Sequence, residues 1–321
     1  MSDGADTRMP DDEAAAGDLP SAGVRPEARS SRAHSSHEHT RRDALKQLSG
    51  LVVTGSLLAP EFSAAHVLPR AGRIRQSVCQ WCYDKVPLDD LCAAAKRLGL
   101  ESVELLGEKD WPTVKAHGLT CAMANGPSTI GVGFNRPDQH DRLAAESERL
   151  LPLVAAAKLP NMIVFSGNRG GMSDGEGLEN CVKGLQRITP VAERLGVTVC
   201  MELLNSKVDH ADYMCDRTAW GAELVKRVGS PRFKLLYDIY HMQIMEGDVI
   251  RTIRDNFPAI AHFHTGGVPG RHEIDDSQEL FYPAIMRAIA DLGFKGFVAQ
   301  EFIPSREPLV SLGEGVRICD V

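Results

Sequence analysis

Eight short β-rich runs, each followed by a stretch of different periodicity, fill the chain beyond residue 72 and restrict it to an α/β architecture. They are IRQSV from Ile74, SVELL from Ser102, LTCAMA from Leu119, NMIVFS from Asn161, VTVCMEL from Val197, FKLLYD from Phe233, IAHFH from Ile260 and GFVAQE from Gly296. The segments between them have helical spacing: in PLDDLCAAAKRLG, Leu88, Leu91, Cys92, Ala95 and Leu98 fall on one face. Glycines at the helix exits, in RLGL, RLGV and DLGF, supply a left-handed residue before the next strand. Eight strand–helix units in about 250 residues predict a (β/α)8 TIM barrel over residues 72–321. The competing open doubly wound sheet favours a glycine-rich phosphate loop after an early strand, and CQWCYDK after the first run is no such loop.

The chain ahead of the barrel reads differently. Residues 1–40 are rich in Ser, Ala, Asp, Glu and His and poor in large apolar residues, so they are expected to be a disordered tail. Residues 41–71 carry Arg41 and Arg42, an apolar stretch from Leu48 to Ala59, and Ser63-Ala64-Ala65. That order resembles a twin-arginine export signal with its linker, which implies delivery to the periplasm; a cytoplasmic location is the alternative. The apolar stretch is shorter than the ~20 residues a membrane span needs, so no stable membrane insertion is expected. A net charge of -7 argues against a nucleic-acid surface and leaves a small molecule as the expected partner, with homo-oligomerisation open.

In a TIM barrel the reacting side chains sit at the C-terminal ends of the strands. Glu202, Asp238, His264 and Glu301 end four successive runs, each offering a group that binds a divalent metal, and a closed barrel points all four at one axis. A lone acid there would be an ordinary loop acid or helix cap; four in succession predict a shared metal site. His241, three residues after Asp238, is placed either to meet a substrate oxygen or to lie exposed at a helix start. Asn205 either orients a neighbour or forms a turn. In HFHTGGVPGRHEID the glycines allow a sharp turn from which Arg271 and Glu273 reach over the mouth. Arg271 offers a fork for a carboxylate, or else pairs with Glu273 or Asp275 at the surface. His241, Arg271, Asn205 and Glu273 form the expected substrate-binding set.

Weaker signals are Cys79 and Cys82, a C-x-x-C pair lacking the partner pair of a zinc site but able to form a disulfide in an exported protein. SGNRGGMSDGEG, after the fourth run, reads as a turn or a phosphate cradle.

Glu202, DIYHMQ, HFHTGGVPGRHEID and AQEF together resemble the hydroxypyruvate isomerase branch of the xylose isomerase-like (sugar phosphate isomerase/epimerase) TIM barrels, a resemblance that covers roughly residues 74–305. It implies one divalent ion (Mn, Mg or Co) on Glu202, Asp238, His264 and Glu301, with Glu202 and Glu301 also the acid/base pair and His241 and Arg271 meeting substrate. The implied reaction is enediolate proton transfer on a small hydroxycarbonyl acid or sugar, such as hydroxypyruvate to tartronate semialdehyde. One departure matters: hydroxypyruvate isomerases commonly carry Gln where His264 stands, and His264 fits the ketose 3-epimerase branch. A ketose 3-epimerase is therefore the alternative, and a sugar-binding barrel without catalysis a remote one.

Overall fold

The computed structural model describes residues 71–321. The expected tail and export signal lie outside the described residues. Seven parallel strands form one sheet: β1 Arg75–Cys79, β2 Ser102–Glu104, β3 Asn161–Val164, β4 Thr198–Glu202, β5 Phe233–Asp238, β6 Ile260–Thr265 and β7 Phe297–Gln300. Their spatial order is β2-β1-β7-β6-β5-β4-β3. The third predicted run, LTCAMA, stands between the two ends of that order. It bridges Ser102 through Thr120 and Leu106 and Met162 through Ala124, with Ile163 N donating to Ala124 O (2.9 Å). These contacts close the sheet into the predicted TIM barrel. They remain isolated bridges because β2 is cut short at Leu105, whose φ of 59° takes the backbone out of the extended region.

Helices α1 (Leu88–Arg97), α2 (Trp111–Ala116), α3 (His140–Ala156), α4 (Asp174–Leu195), α5 (Thr218–Val228), α6 (Ile239–Met245), α7 (Val249–Asn256), α8 (Tyr282–Asp291) and α9 (Pro308–Ile318) complete the alternation. Local chemistry sets their ends. In α1, Asp89 and Asp90 lie in the first turn and Lys96 and Arg97 in the last, complementing the helix dipole. Ser173 caps α4 by accepting from Glu176 N (3.2 Å). The exit glycines Gly99, Gly196 and Gly293 have φ of 78°, 73° and 76°, the left-handed geometry expected of them. The face expected to pack in α1 does so: Leu91, Cys92 and Ala95 are buried, and Leu88 and Leu98 pack against the core.

Side chains alternate along a strand, so positions paired in register share a face. The pairings Cys79 with Glu104, Leu236 with His262, and Asp238 with His264 therefore put these residues on the barrel interior. Lower in the barrel, Met123, Ile163, Cys200 and Leu236 make a small apolar plug. The polar residues stack above it, at the C-terminal ends of the strands.

Candidate active site

Glu202, Asp238, His264 and Glu301 each offer a ligand atom, and these four atoms all lie within 4.8 Å of one another. All four residues are buried, at 5%, 0%, 0% and 2% exposure. His264 Nδ1 is 2.7 Å from Glu301 Oε2 and 3.3 Å from Glu202 Oε1, yet it has no well-aligned hydrogen bond among the described residues. A nitrogen so placed, with carboxylates around it, can offer its lone pair to an ion. Three carboxylates and one imidazole suit Mn²⁺, Mg²⁺ or Co²⁺, so the residues present fit the expected cation.

Arg271 reaches this cluster from the loop after β6. Its own backbone is left-handed (φ 59°) and is held by Arg271 N to Gly267 O (2.8 Å) and Ile303 N to Arg271 O (2.7 Å). Gly267 is required there, because a Cβ would come within 2.3 Å of Glu273 O. The guanidinium donates to Asp238 Oδ2 (3.0 Å) and Glu301 Oε2 (2.5 Å), with its carbon 5.0 Å from the ring centre of Tyr240 and 5.2 Å from that of Trp81. Trp81 in turn donates its indole N–H to Glu301 Oε1 (2.8 Å). The surface pairing of Arg271 with Glu273 or Asp275 does not occur; Arg306 takes that role.

His241 is fully buried at the start of α6, which excludes the exposed alternative. Asp238 caps that helix by accepting from His241 N (3.1 Å). Asn205, also fully buried, accepts from Val208 N and Asp209 N through Oδ1, which fixes its amide orientation. Its Nδ2 therefore faces His241 Nδ1 (2.7 Å), while Arg271 Nη1, which can only donate, lies 2.7 Å from His241 Nε2. Asn205 is thus an orienting residue for His241. Burial, then the nearby Arg271 charge, push the His241 pKa well below its ordinary value and keep the ring neutral.

Glu273, expected to contact substrate, does not. Ser305 and Ser311 hydroxyls and the Ser305 and Arg306 amides occupy its carboxylate. It does not line the cavity, and it fastens the loop after β6 to the loop after β7. Cys79 and Cys82 are both free buried thiols, so the disulfide alternative is not realised. In the glycine-rich run, Arg169 is engaged by Asp216 and the Tyr213 carbonyl, and the Gly170 amide by Asp212, which accounts for a turn.

The mouth opens into a cavity of about 610 Å³ lined by Trp81, Glu202, His210, His241, Arg271 and Glu301. Leu105, Ile130, Ile163, Phe165 and Leu204 supply its apolar wall. Burial raises the pKa of Asp238 to about 8 despite Arg271, and raises that of Glu202. Burial opposes charge on Glu301 too, but His264 and Arg271 outweigh it and hold its carboxyl well below the usual range. Two buried carboxyls of one mouth are thereby driven in opposite directions.

Three residues near this site were not picked out from the sequence. Glu104 ends β2 in the structure, but the run SVELL read from the sequence continues to Leu106, so counting strand ends passed over it. His262 lies two residues before His264 on the same strand face, a period-2 signal. His210, whose ring centre is 5.3 Å from that of His241, sits in a loop and carries no such pattern.

A closed barrel with acids and imidazoles at the strand ends defines a protein of the TIM-barrel enzyme type. The chain matches the xylose isomerase-like TIM barrel family over residues 92–318 and belongs to it. A provisionally named hydroxypyruvate isomerase of Xenopus laevis is 30% identical over 135 residues, which cover 42% of this chain and 49% of that protein. A similarly named protein of Mus musculus is 27% identical over 256 residues (72% and 90%). A 2-oxo-tetronate isomerase of Pectobacterium atrosepticum is 24% identical over 243 residues (72% and 92%). The chain spans about half or less of the length of the first curated relatives it matches. In fold it is similar to an AP endonuclease family 2 protein from Brucella melitensis (TM-score 0.65, 23% identity, 74% of this chain and 97% of that one). It is also similar to a D-psicose 3-epimerase (TM-score 0.63, 19% identity, 77% and 96%).

Proposed function

We propose that this chain is a divalent-metal-dependent isomerase that moves a proton between adjacent carbons of a small hydroxycarbonyl acid, with hydroxypyruvate to tartronate semialdehyde as the leading reaction. The observation that carries this reading is the convergence of Glu202, Asp238, His264 and Glu301 within 4.8 Å of one another, with Glu202 and Glu301 lining the cavity. The names of the relatives of Mus musculus and Pectobacterium atrosepticum point the same way.

A bound divalent ion would supply Lewis-acid stabilisation of negative charge developing on the substrate's carbonyl and hydroxyl oxygens. The rest is done by the chain. Glu301 and Glu202 flank the reacting carbons, one taking the proton from the hydroxyl-bearing carbon and the other delivering a proton to its neighbour. Arg271 holds the substrate carboxylate, and His241, a neutral imidazole on the cavity wall, meets a substrate oxygen. Trp81 covers Glu301 from the solvent side.

Epimerisation at the carbon beside a ketose carbonyl uses the same groups, with the proton returned to the opposite face. The cavity favours this second reading in one respect: about 610 Å³ and an apolar wall exceed what a three-carbon acid fills. Metal-stripped protein resupplied with Mn²⁺, Mg²⁺ or Co²⁺ and given hydroxypyruvate or a panel of ketoses separates the two. Turnover of hydroxypyruvate supports the isomerase, turnover of ketoses alone supports the epimerase, and metal-independent turnover removes both.

A further inference from the structure

Behind His264 of the proposed metal site lies a second polar layer that the reaction itself does not use: Glu104 on β2, His262 on β6 and Cys79 on β1. Glu104, His262, His264 and Cys79 are each 0% exposed. Glu104 Oε1 is 2.7 Å from His262 Nε2 and 3.0 Å from His264 Nε2. An ionised carboxylate only accepts, so both contacts are hydrogen bonds only if both rings carry a proton on Nε2. In the neutral His264 ring, the form that binds a metal, that choice leaves the lone pair on Nδ1, the nitrogen that lies 2.7 Å from Glu301 and 3.3 Å from Glu202.

We infer that Glu104 is the positioning residue for His264: it holds the Nε2–H tautomer and the ring orientation that present Nδ1 to the divalent ion. His262, its ring centre 5.2 Å from that of His264 and edge-on to it, shares the same oxygen and fixes the carboxylate's own direction. A carboxylate behind a ligating imidazole also raises the basicity of the ligand nitrogen, and losing such a partner costs roughly 10–100-fold in metal affinity. The inference rests on the metal-dependent reading proposed above. It competes with one other arrangement. Cys79, Glu104 and His264 also bring ligand atoms within 4.8 Å of one another, and an ion there would need the same His264 Nε2 stripped of its proton. One nitrogen cannot hold a proton and an ion together, so the two arrangements exclude each other.

Glu104→Gln keeps the shape and tests the role. Co²⁺ affinity of the purified protein, by chelator competition, is expected to weaken roughly 10–100-fold. The d–d absorption of the bound Co²⁺ should shift, while the melting temperature of the metal-free variant stays close to wild type. Nitrogen-15 NMR of the Zn²⁺-loaded wild-type protein is expected to show His264 metallated at Nδ1 and protonated at Nε2, a readout that survives even if the variant misfolds. Cys79→Ala should keep a single ion per chain, with affinity within about threefold of wild type. Unchanged Co²⁺ affinity and spectrum in Glu104→Gln, or Zn²⁺ on Nε2, overturns the positioning role alone. A second ion lost in Cys79→Ala overturns it in favour of the lower cluster. A wild-type protein that takes up no divalent ion removes both this inference and the metal-dependent reading.

Discussion

Arg271 Nη2 lies 3.0 Å from Asp238 Oδ2, so the guanidinium of a loop residue is braced on a strand-end carboxylate that was expected only to bind metal. The same side chain meets Glu301 Oε2, which ties the proposed carboxylate clamp to the acid/base pair. Arg271→Ala is expected to raise KM for hydroxypyruvate about tenfold or more while leaving solvent-deuterium exchange into a neutral ketose largely intact. Metal content is measured alongside, because the ligand cluster loses its neighbouring positive charge. Equal impairment of both substrates at full metal loading would refute the clamp.

Glu301→Gln separates proton transfer from binding. The amide keeps an oxygen for the cation and the contact from Trp81, but it cannot accept a proton at working pH. Turnover and deuterium exchange should both fall about 10²–10⁴-fold, with appreciable metal retained. Normal exchange in the variant would move the base elsewhere in the mouth, with His241 the next residue to test.

Acid sensitivity is expected from Glu273. Burial alone would raise its pKa, but hydrogen bonds from Ser305 and Ser311 win and hold it at about 2, down from 4.5. A depressed folded-state pKa means the stabilisation is complete above the unfolded value and drains away as pH falls from about 4.5 toward 2. Glu273→Gln should cost on the order of 1–3 kcal/mol near neutral pH. Its melting temperature should then fall less than that of wild type between about pH 5 and 3. Parallel melting curves across that range would show that Glu273 contributes no such linkage.

Export is tested on the native protein. If residues 41–71 act as a twin-arginine signal, N-terminal sequencing of protein recovered from its own cells should begin shortly after Ala65. A soluble cytoplasmic product starting at Met1 would discard the proposal.

Much of the barrel and the convergence of the four candidate ligands was legible in the sequence because both follow from short-range periodicity. Strand-end positions of Glu202, Asp238, His264 and Glu301 could be counted off the β-rich runs, and register does the rest, since parallel neighbours such as Asp238 and His264 must share a face. Helix exits at Gly99, Gly196 and Gly293 were equally local. What only the tertiary structure decided were contacts between residues far apart in the chain. Glu273 looked free to reach substrate until Ser305 and Ser311, more than thirty residues on, took its carboxylate. Asn205 gained its role from His241 on the next strand's helix, and Glu104 its role from a histidine 160 residues away. The interrupted third run likewise depended on the left-handed turn at Leu105 in a different strand. Periodicity assigns a side chain to a face, but which donor or acceptor it meets there is fixed only when the barrel closes and brings distant strands to hydrogen-bonding distance.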